Sequence, residues 1–144
     1  MVLAVGTKAP GFTTKDDAGN TVSLSDFAGK VVVLYFYPKD DTPGCTKEAQ
    51  SFRDNYSQYQ DKEMVVLGVS RDDEASHKLF KEKYGLPFSL LADEDGTITK
   101  AYDADGGNYA KRVTYLINGE GVISHVDEDV KTDSHAQDIL ARMA

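Results

Sequence analysis

Two short apolar runs divide the first half of this chain. Val31 to Tyr37 is unbroken by any polar residue, which is the pattern of a strand covered on both faces. Met64 to Val69 is a second such run. Between them the apolar spacing changes. Cys45, Ala49, Phe52, Tyr56 and Tyr59 follow one another at intervals of 4, 3, 4 and 3. At about 100° per residue these side chains fall on one stripe of a helix. The spacing predicts a helix over Lys47–Lys62, opened by Thr42 as N-cap and Pro43 as first helical residue. Core packing accounts for Ala49, Phe52, Tyr56 and Tyr59. Cys45 ends the same inward stripe.

The remaining elements follow from the same periodicities. Phe12–Thr14 and Thr21–Leu24 flank the turn-rich Asp16–Asn20 and predict an N-terminal hairpin. Ser25–Gly29 reads as one helical turn stopped by glycine. Asp72–Tyr84 reads as a helix capped by Asp72 or Asp73 and ended by Gly85. Pro87–Leu91 is a short strand, and Gly96–Tyr102 a short helix. Val113–Ile117 and Val122–Val126 are strands joined through Asn118-Gly119-Glu120-Gly121, a hairpin signal. Thr132 or Asp133 opens a last helix, Ser134–Met143. Strand–helix–strand units imply parallel pairing with right-handed crossovers, and the late hairpin adds antiparallel strands. The expected fold class is α/β, a mixed central sheet flanked by helices in one domain spanning 1–144.

Charge narrows the function. The net charge is −8, and lysines are scattered without a basic stripe. This argues against nucleic acid and anionic membranes, which need clustered Lys and Arg. The first nine residues do not read as a signal peptide. A lone cysteine excludes an internal disulfide and fits a reducing compartment, hence a cytoplasmic location. His77, His125 and His135 lack metal-ligand spacing with each other or with Cys45, so no metal or cofactor is expected. His77 and His135 read as surface residues of helices. Asp105-Gly106-Gly107 follows no strand and opens no helix, which speaks against phosphate binding.

Cys45 carries the chemistry. It falls in the turn between a buried strand and a helix, where unpaired N–H groups and the positive end of the helix dipole collect. Such a place favours the thiolate, the reactive form of the side chain. In open α/β sheets, sites form at the carboxyl ends of strands, which is where Cys45 stands.

Pro38, Thr42 and Cys45, within Tyr35-Phe36-Tyr37-Pro38 and Pro43-Gly44-Cys45-Thr46, resemble the active-site motif of peroxiredoxins of the bacterioferritin-comigratory, or Q-type, branch. Gly6–Phe12, Gly68-Val69-Ser70 and Arg112–Tyr115 extend the resemblance over nearly the whole chain. It implies a thioredoxin-like fold and a thiol-dependent peroxidase acting on hydrogen peroxide and alkyl hydroperoxides. By position, Cys45 would be the peroxidatic cysteine. Thr42 would hydrogen-bond thiolate and peroxide, Pro38 would shield the site, Arg112 would be the active-site arginine, and Glu48 would orient it. Q-type relatives often carry a resolving cysteine five residues after the first; here that residue is Gln50. The chain reads as a one-cysteine form, recycled by thioredoxin, glutaredoxin or glutathione. The resemblance further implies a monomer or weak dimer.

Two other readings use the same residues. A non-catalytic thioredoxin-like binding or holdase module would keep Cys45 for packing alone. A glutathione-peroxidase-like enzyme would share the peroxide chemistry, but the Pro-Gly-Cys-Thr loop and Arg112 favour the peroxiredoxin. A thioredoxin-like oxidoreductase would need Cys-x-x-Cys.

Overall fold

The structure, a computed structural model, describes residues 2–142. Seven strands form one sheet: β1 (Thr13–Asp16), β2 (Thr21–Ser23), β3 (Val31–Phe36), β4 (Met64–Ser70), β5 (Ser89–Ala92), β6 (Val113–Ile117) and β7 (Ile123–Asp127). Their spatial order is β2-β1-β5-β4-β3-β6-β7. The central β3, β4 and β5 are parallel, and the hairpins at either side pair antiparallel. The helices are α1 (Pro43–Asp54), α2 (Tyr56–Asp61), α3 (Glu74–Tyr84), α4 (Thr97–Ala101) and α5 (His135–Arg142), with a 3₁₀ turn at Leu24–Phe27. Met143 of the expected last helix lies outside the described residues.

β3 shows why its sequence is apolar throughout. Side chains alternate across a strand. Val33, Tyr35 and Tyr37 enter one core with Ala49, Phe52, Tyr59, Phe80 and Ile139. Val32, Leu34 and Phe36 enter a second core with Leu67, Ile98, Tyr102 and Tyr115. Both faces are therefore covered. Gly68 permits the tight centre of the first core: a Cβ there would lie 2.9 Å from Leu90 and 3.0 Å from the Tyr35 ring and hydroxyl.

The expected helix Lys47–Lys62 is two helices that begin earlier and break at Asn55. The Asn55 side-chain amide donates to the Ser51 carbonyl at 2.8 Å, competing with the helical ladder. The backbone at Asn55 leaves helical values, with φ −109° and ψ 9°. The apolar stripe survives the break: Tyr59, on α2, is buried and its hydroxyl donates to the Ala136 carbonyl of α5 at 2.7 Å. The cap of α3 is Asp73, whose Oδ1 accepts the Ser76 N–H at 2.8 Å, and Gly85 ends it at φ 61°. The N-terminal hairpin is part of the main sheet, because β1 pairs with β5. Pro87 lies outside β5, as its missing N–H would suggest. Among the described residues no helix is long and apolar enough to cross a membrane.

Phe52 is fully buried and stacks 4.7 Å from Tyr35, with Tyr59, Phe88 and His135 rings at 5.5–6.1 Å. Phe52→Ala leaves a large cavity where α1, the sheet and α5 meet. It should lower stability by about 3–5 kcal/mol, read as a fall in the urea unfolding midpoint.

Candidate active site

Cys45 is the third residue of α1, and its side chain is 1% exposed. At this position its own N–H, like that of Gly44, has no preceding helical carbonyl to bond. Thr42 adopts the extended backbone of an N-cap, φ −95° and ψ 156°, and its carbonyl accepts the Thr46 N–H at 2.8 Å. Its hydroxyl, however, makes no cap bond. It turns back to donate to the Lys39 carbonyl at 2.8 Å, so the capping expectation holds for the backbone only. Pro38, half-buried, heads the same loop.

Sheet register brings in the arginine. β6 runs antiparallel to β3 and pairs Val113 with Phe36. The residue before Val113 therefore stands at the end of β3 from which the Cys45 loop departs. That residue is Arg112. Its Nη2 donates to Cys45 Sγ at 3.3 Å and its Nη1 to Glu48 Oε1 at 2.6 Å. Glu48 lies three residues beyond Cys45, on the same helical face. Gly44 leaves room for this arrangement: a Cβ there would sit 3.1 Å from Arg112 Nη2. Gln50 is half-buried on the same helix.

Cys45 and Glu48 are buried and Arg112 is half-buried between them and solvent. Glu48 is fully buried, and burial pushes its carboxyl up to about 7, against the charge and hydrogen bond of Arg112. Burial works against the Arg112 charge, but Glu48 and Cys45 more than offset it and hold the guanidinium charged. Among the described residues, the second carboxylate oxygen, Glu48 Oε2, finds no hydrogen-bond partner. Its nearest imidazole nitrogen is Nε2 of His135, 3.8 Å away.

His135 corrects the sequence reading, which placed it on the surface. It is fully buried, with Nε2 2.8 Å from the Thr114 hydroxyl, and burial pulls it down to about 4. α5 turns it inward because the helix docks on α1, where Ser51 Oγ accepts the Ala136 N–H at 3.1 Å. His77 is likewise fully buried, bonded to Asp40 and to the Leu91 carbonyl. A histidine beginning or facing an otherwise apolar helical stripe was the available signal for both. Asp40, Asp72 and His77 offer ligand atoms within 4.8 Å of one another, but each already hydrogen-bonds within the protein.

The arrangement is a sulfur at a helix start, under a cation fixed by a buried carboxylate. Residues 5–126 match the AhpC/TSA family. Peroxiredoxin Bcp of Bacillus subtilis is 43% identical over 148 residues, covering 97% of this chain and 94% of that protein. The chloroplastic peroxiredoxin Q of Triticum aestivum is 49% identical over 127 residues, 86% of this chain and 58% of that longer protein. Among solved structures, a mutant of Xylella fastidiosa PrxQ superimposes with a TM-score of 0.93 at 31% identity, covering 99% of this chain and 96% of that one.

The two buried groups impose opposite pH dependences on folding. Glu48, raised to about 7, stabilises fully below its unfolded value near 4.5 and loses that contribution as pH rises through about 7. His135, lowered to about 4, contributes above its unfolded value near 6.5 and loses that as pH falls through about 4. Glu48→Gln removes the first dependence. Its urea midpoint, relative to the parent's at the same pH, should climb as pH rises from 4.5 to 7.

Proposed function

The chain belongs to the AhpC/TSA family, as a thiol-dependent peroxidase of the Bcp and Q kind, and on that premise we propose that Cys45 is the residue its peroxide oxidises. The contact between Arg112 Nη2 and Cys45 Sγ, at 3.3 Å in the first turn of α1, carries this assignment. It places a permanent cation against the one sulfur able to act as nucleophile.

The thiolate attacks the terminal oxygen of the hydroperoxide in line with the O–O bond. The S–O bond forms, the O–O bond breaks, and Cys45 becomes a sulfenic acid. The electron pair leaves on the departing oxygen, which takes a proton to give water or an alcohol. Charge thus moves from sulfur to that oxygen. Arg112, fixed beside the sulfur, and the first-turn N–H groups of α1 would meet that charge, and fixed donors stabilise such charge without reorganising. Arginine suits the position because it stays charged and offers donors in a rigid fork. Glu48 holds that fork, and Gly44 leaves it space. Thr42 would contribute its hydroxyl to the peroxide on turning from the Lys39 carbonyl. Pro38 would shield the loop.

With one cysteine in the chain, the sulfenic acid is returned by an outside thiol. The first thiol displaces water and forms a mixed disulfide with Cys45. A second thiolate attacks that disulfide and releases the Cys45 thiolate. A reducing compartment such as the cytoplasm supplies such thiols.

Treating the protein with one equivalent of hydrogen peroxide should convert Cys45 to the sulfenic acid, detected by mass spectrometry as the thioether that dimedone forms with it on loss of water. A protein that leaves peroxide untouched would return the function to a binding module. Arg112→Met should slow Cys45 oxidation by about 10²–10³-fold, the size expected for one transition-state donor. Lys111→Met, one residue away and exposed, should leave the rate near the parent's. Equal effects of the two would remove Arg112 from the reaction.

A further inference from the structure

The loop that delivers Cys45 is held from the opposite side by a second buried cluster. Residues 37–42 join β3 to α1, and Asp40 lies among them. Its N–H donates to Asp72 Oδ2 at 2.9 Å. Its Oδ1 accepts the Tyr37 hydroxyl at 2.6 Å, and its Oδ2 accepts the Ser76 hydroxyl at 2.8 Å. The same Oδ2 lies 2.7 Å from Nδ1 of His77. The next residue, Asp41, has a left-handed backbone at φ 58° and is fastened to Lys83 and Tyr84 of α3 at 2.8 and 2.6 Å.

The proton count at His77 follows from its partners. Nε2 stands 2.9 Å from the Leu91 carbonyl of β5. A carbonyl has no proton to give, so Nε2 carries one. Asp40 is an acceptor towards both Tyr37 and Ser76, so the contact at Nδ1 needs a second. One proton must lie between Nδ1 and Oδ2, and it rests on the imidazole, ordinarily the more basic of the two, so the pair is imidazolium and carboxylate. We propose that His77 is a positioning residue that, as an imidazolium, clamps Asp40 and with it the Cys45 loop, and that losing one proton opens the clamp. Neutral imidazole can serve Leu91 or Asp40, never both. With Nε2–H retained, a bare lone pair at Nδ1 would face a carboxylate oxygen.

The groups facing His77 agree on the direction. They are Asp40 from the loop, Asp72 from the turn after β4, the Tyr37 hydroxyl 3.4 Å away at the end of β3, Ser76 on its own helix and the Leu91 carbonyl of β5. Burial pulls the imidazole down, but the hydrogen bond and charge of Asp40, then Leu91 and Asp72, bring it above its ordinary value of 6.5. Tyr37, pushed well up by burial and by Asp40, stays protonated. The clamp is complete below the unfolded value near 6.5 and is lost as pH rises through the higher folded value.

Asp40→Asn tests this without changing shape. An Asn amide nitrogen in place of Oδ2 can donate to a neutral Nδ1 and to the Ser76 oxygen, while its carbonyl still accepts from Tyr37. The variant should keep the clamp at alkaline pH. Amide exchange of residues 38–45 is followed by mass spectrometry without peroxide, parent and variant at the same pH so that base catalysis cancels. The parent's exchange rate relative to the variant's should rise roughly tenfold from about pH 6 to pH 9, the size of one charged hydrogen bond. The peroxide reaction of Cys45 should favour the variant over the same interval. Should the Asn variant not fold, His77→Gln, which cannot titrate, takes its place, and the parent-to-variant exchange ratio should rise in the same way. A ratio that stays flat across this range overturns the clamp. The consequence for peroxide rests on the assignment of Cys45, but the exchange does not. Moving exchange with an unreactive Cys45 would sink the peroxidase assignment and leave the clamp standing.

Discussion

A buried carboxylate that must be answered by a cation organises this protein's site. Glu48 is sealed from solvent on α1, and removing a charge from water is costly unless it is paired. Arg112 provides the answer at 2.6 Å. Once committed to Glu48, the guanidinium has its other terminal nitrogen against Cys45 Sγ. The arginine's position is therefore set by a stability requirement, and the sulfur receives the benefit. A surface arginine near a thiol would be free to swing away and would be screened by water. This one is held by the acid it pairs with, against the sulfur at the helix start.

The sheet makes that meeting possible. β3 ends where Cys45's loop begins, and β6 begins where β3 ends, because the two are antiparallel neighbours. A strand boundary thus brings residues 45 and 112 within hydrogen-bond distance across 67 positions of sequence. α5 then closes the site from behind. Its first residue, His135, packs edge-on against Phe52, so the aromatic core and the polar site share a wall.

Much of this was legible beforehand, for identifiable reasons. The stripe through Cys45, Ala49, Phe52 and Tyr59 depends on local periodicity, and the structure keeps it even though Asn55 breaks the helix. β3 was legible because both its faces are covered. The pairing of β1 with β5 was not, since a short alternating strand does not declare its second neighbour. Arg112 was found through its resemblance to a motif, and its contact with Cys45 depends on sheet register. Gly44 was visible as part of the motif, but its role as space for a guanidinium is not written in local sequence. His77 and His135 were misplaced for one shared reason. Each stands on the apolar stripe of its helix, with Phe80 for His77 and Ile139 for His135, but its own polarity argues for the solvent face.

Those two histidines also show how little composition says about charge. Both are fully buried on helices, and burial pulls both toward neutrality. What separates them is about an ångström of distance and the state of the acid. His77 has the Asp40 carboxylate at 2.7 Å in a hydrogen bond, enough to overcome burial and favour the charged ring. His135 has Glu48 at 3.8 Å and Asp127 at 3.7 Å, with no hydrogen bond to either. Glu48 is itself pushed toward its neutral form, so it offers His135 less charge than its proximity suggests. Burial therefore wins at His135. The consequence is spatial: a cation holds the loop on the α3 side, while on the α5 side the imidazole stays neutral. Beside the sulfur the positive charge is left to Arg112.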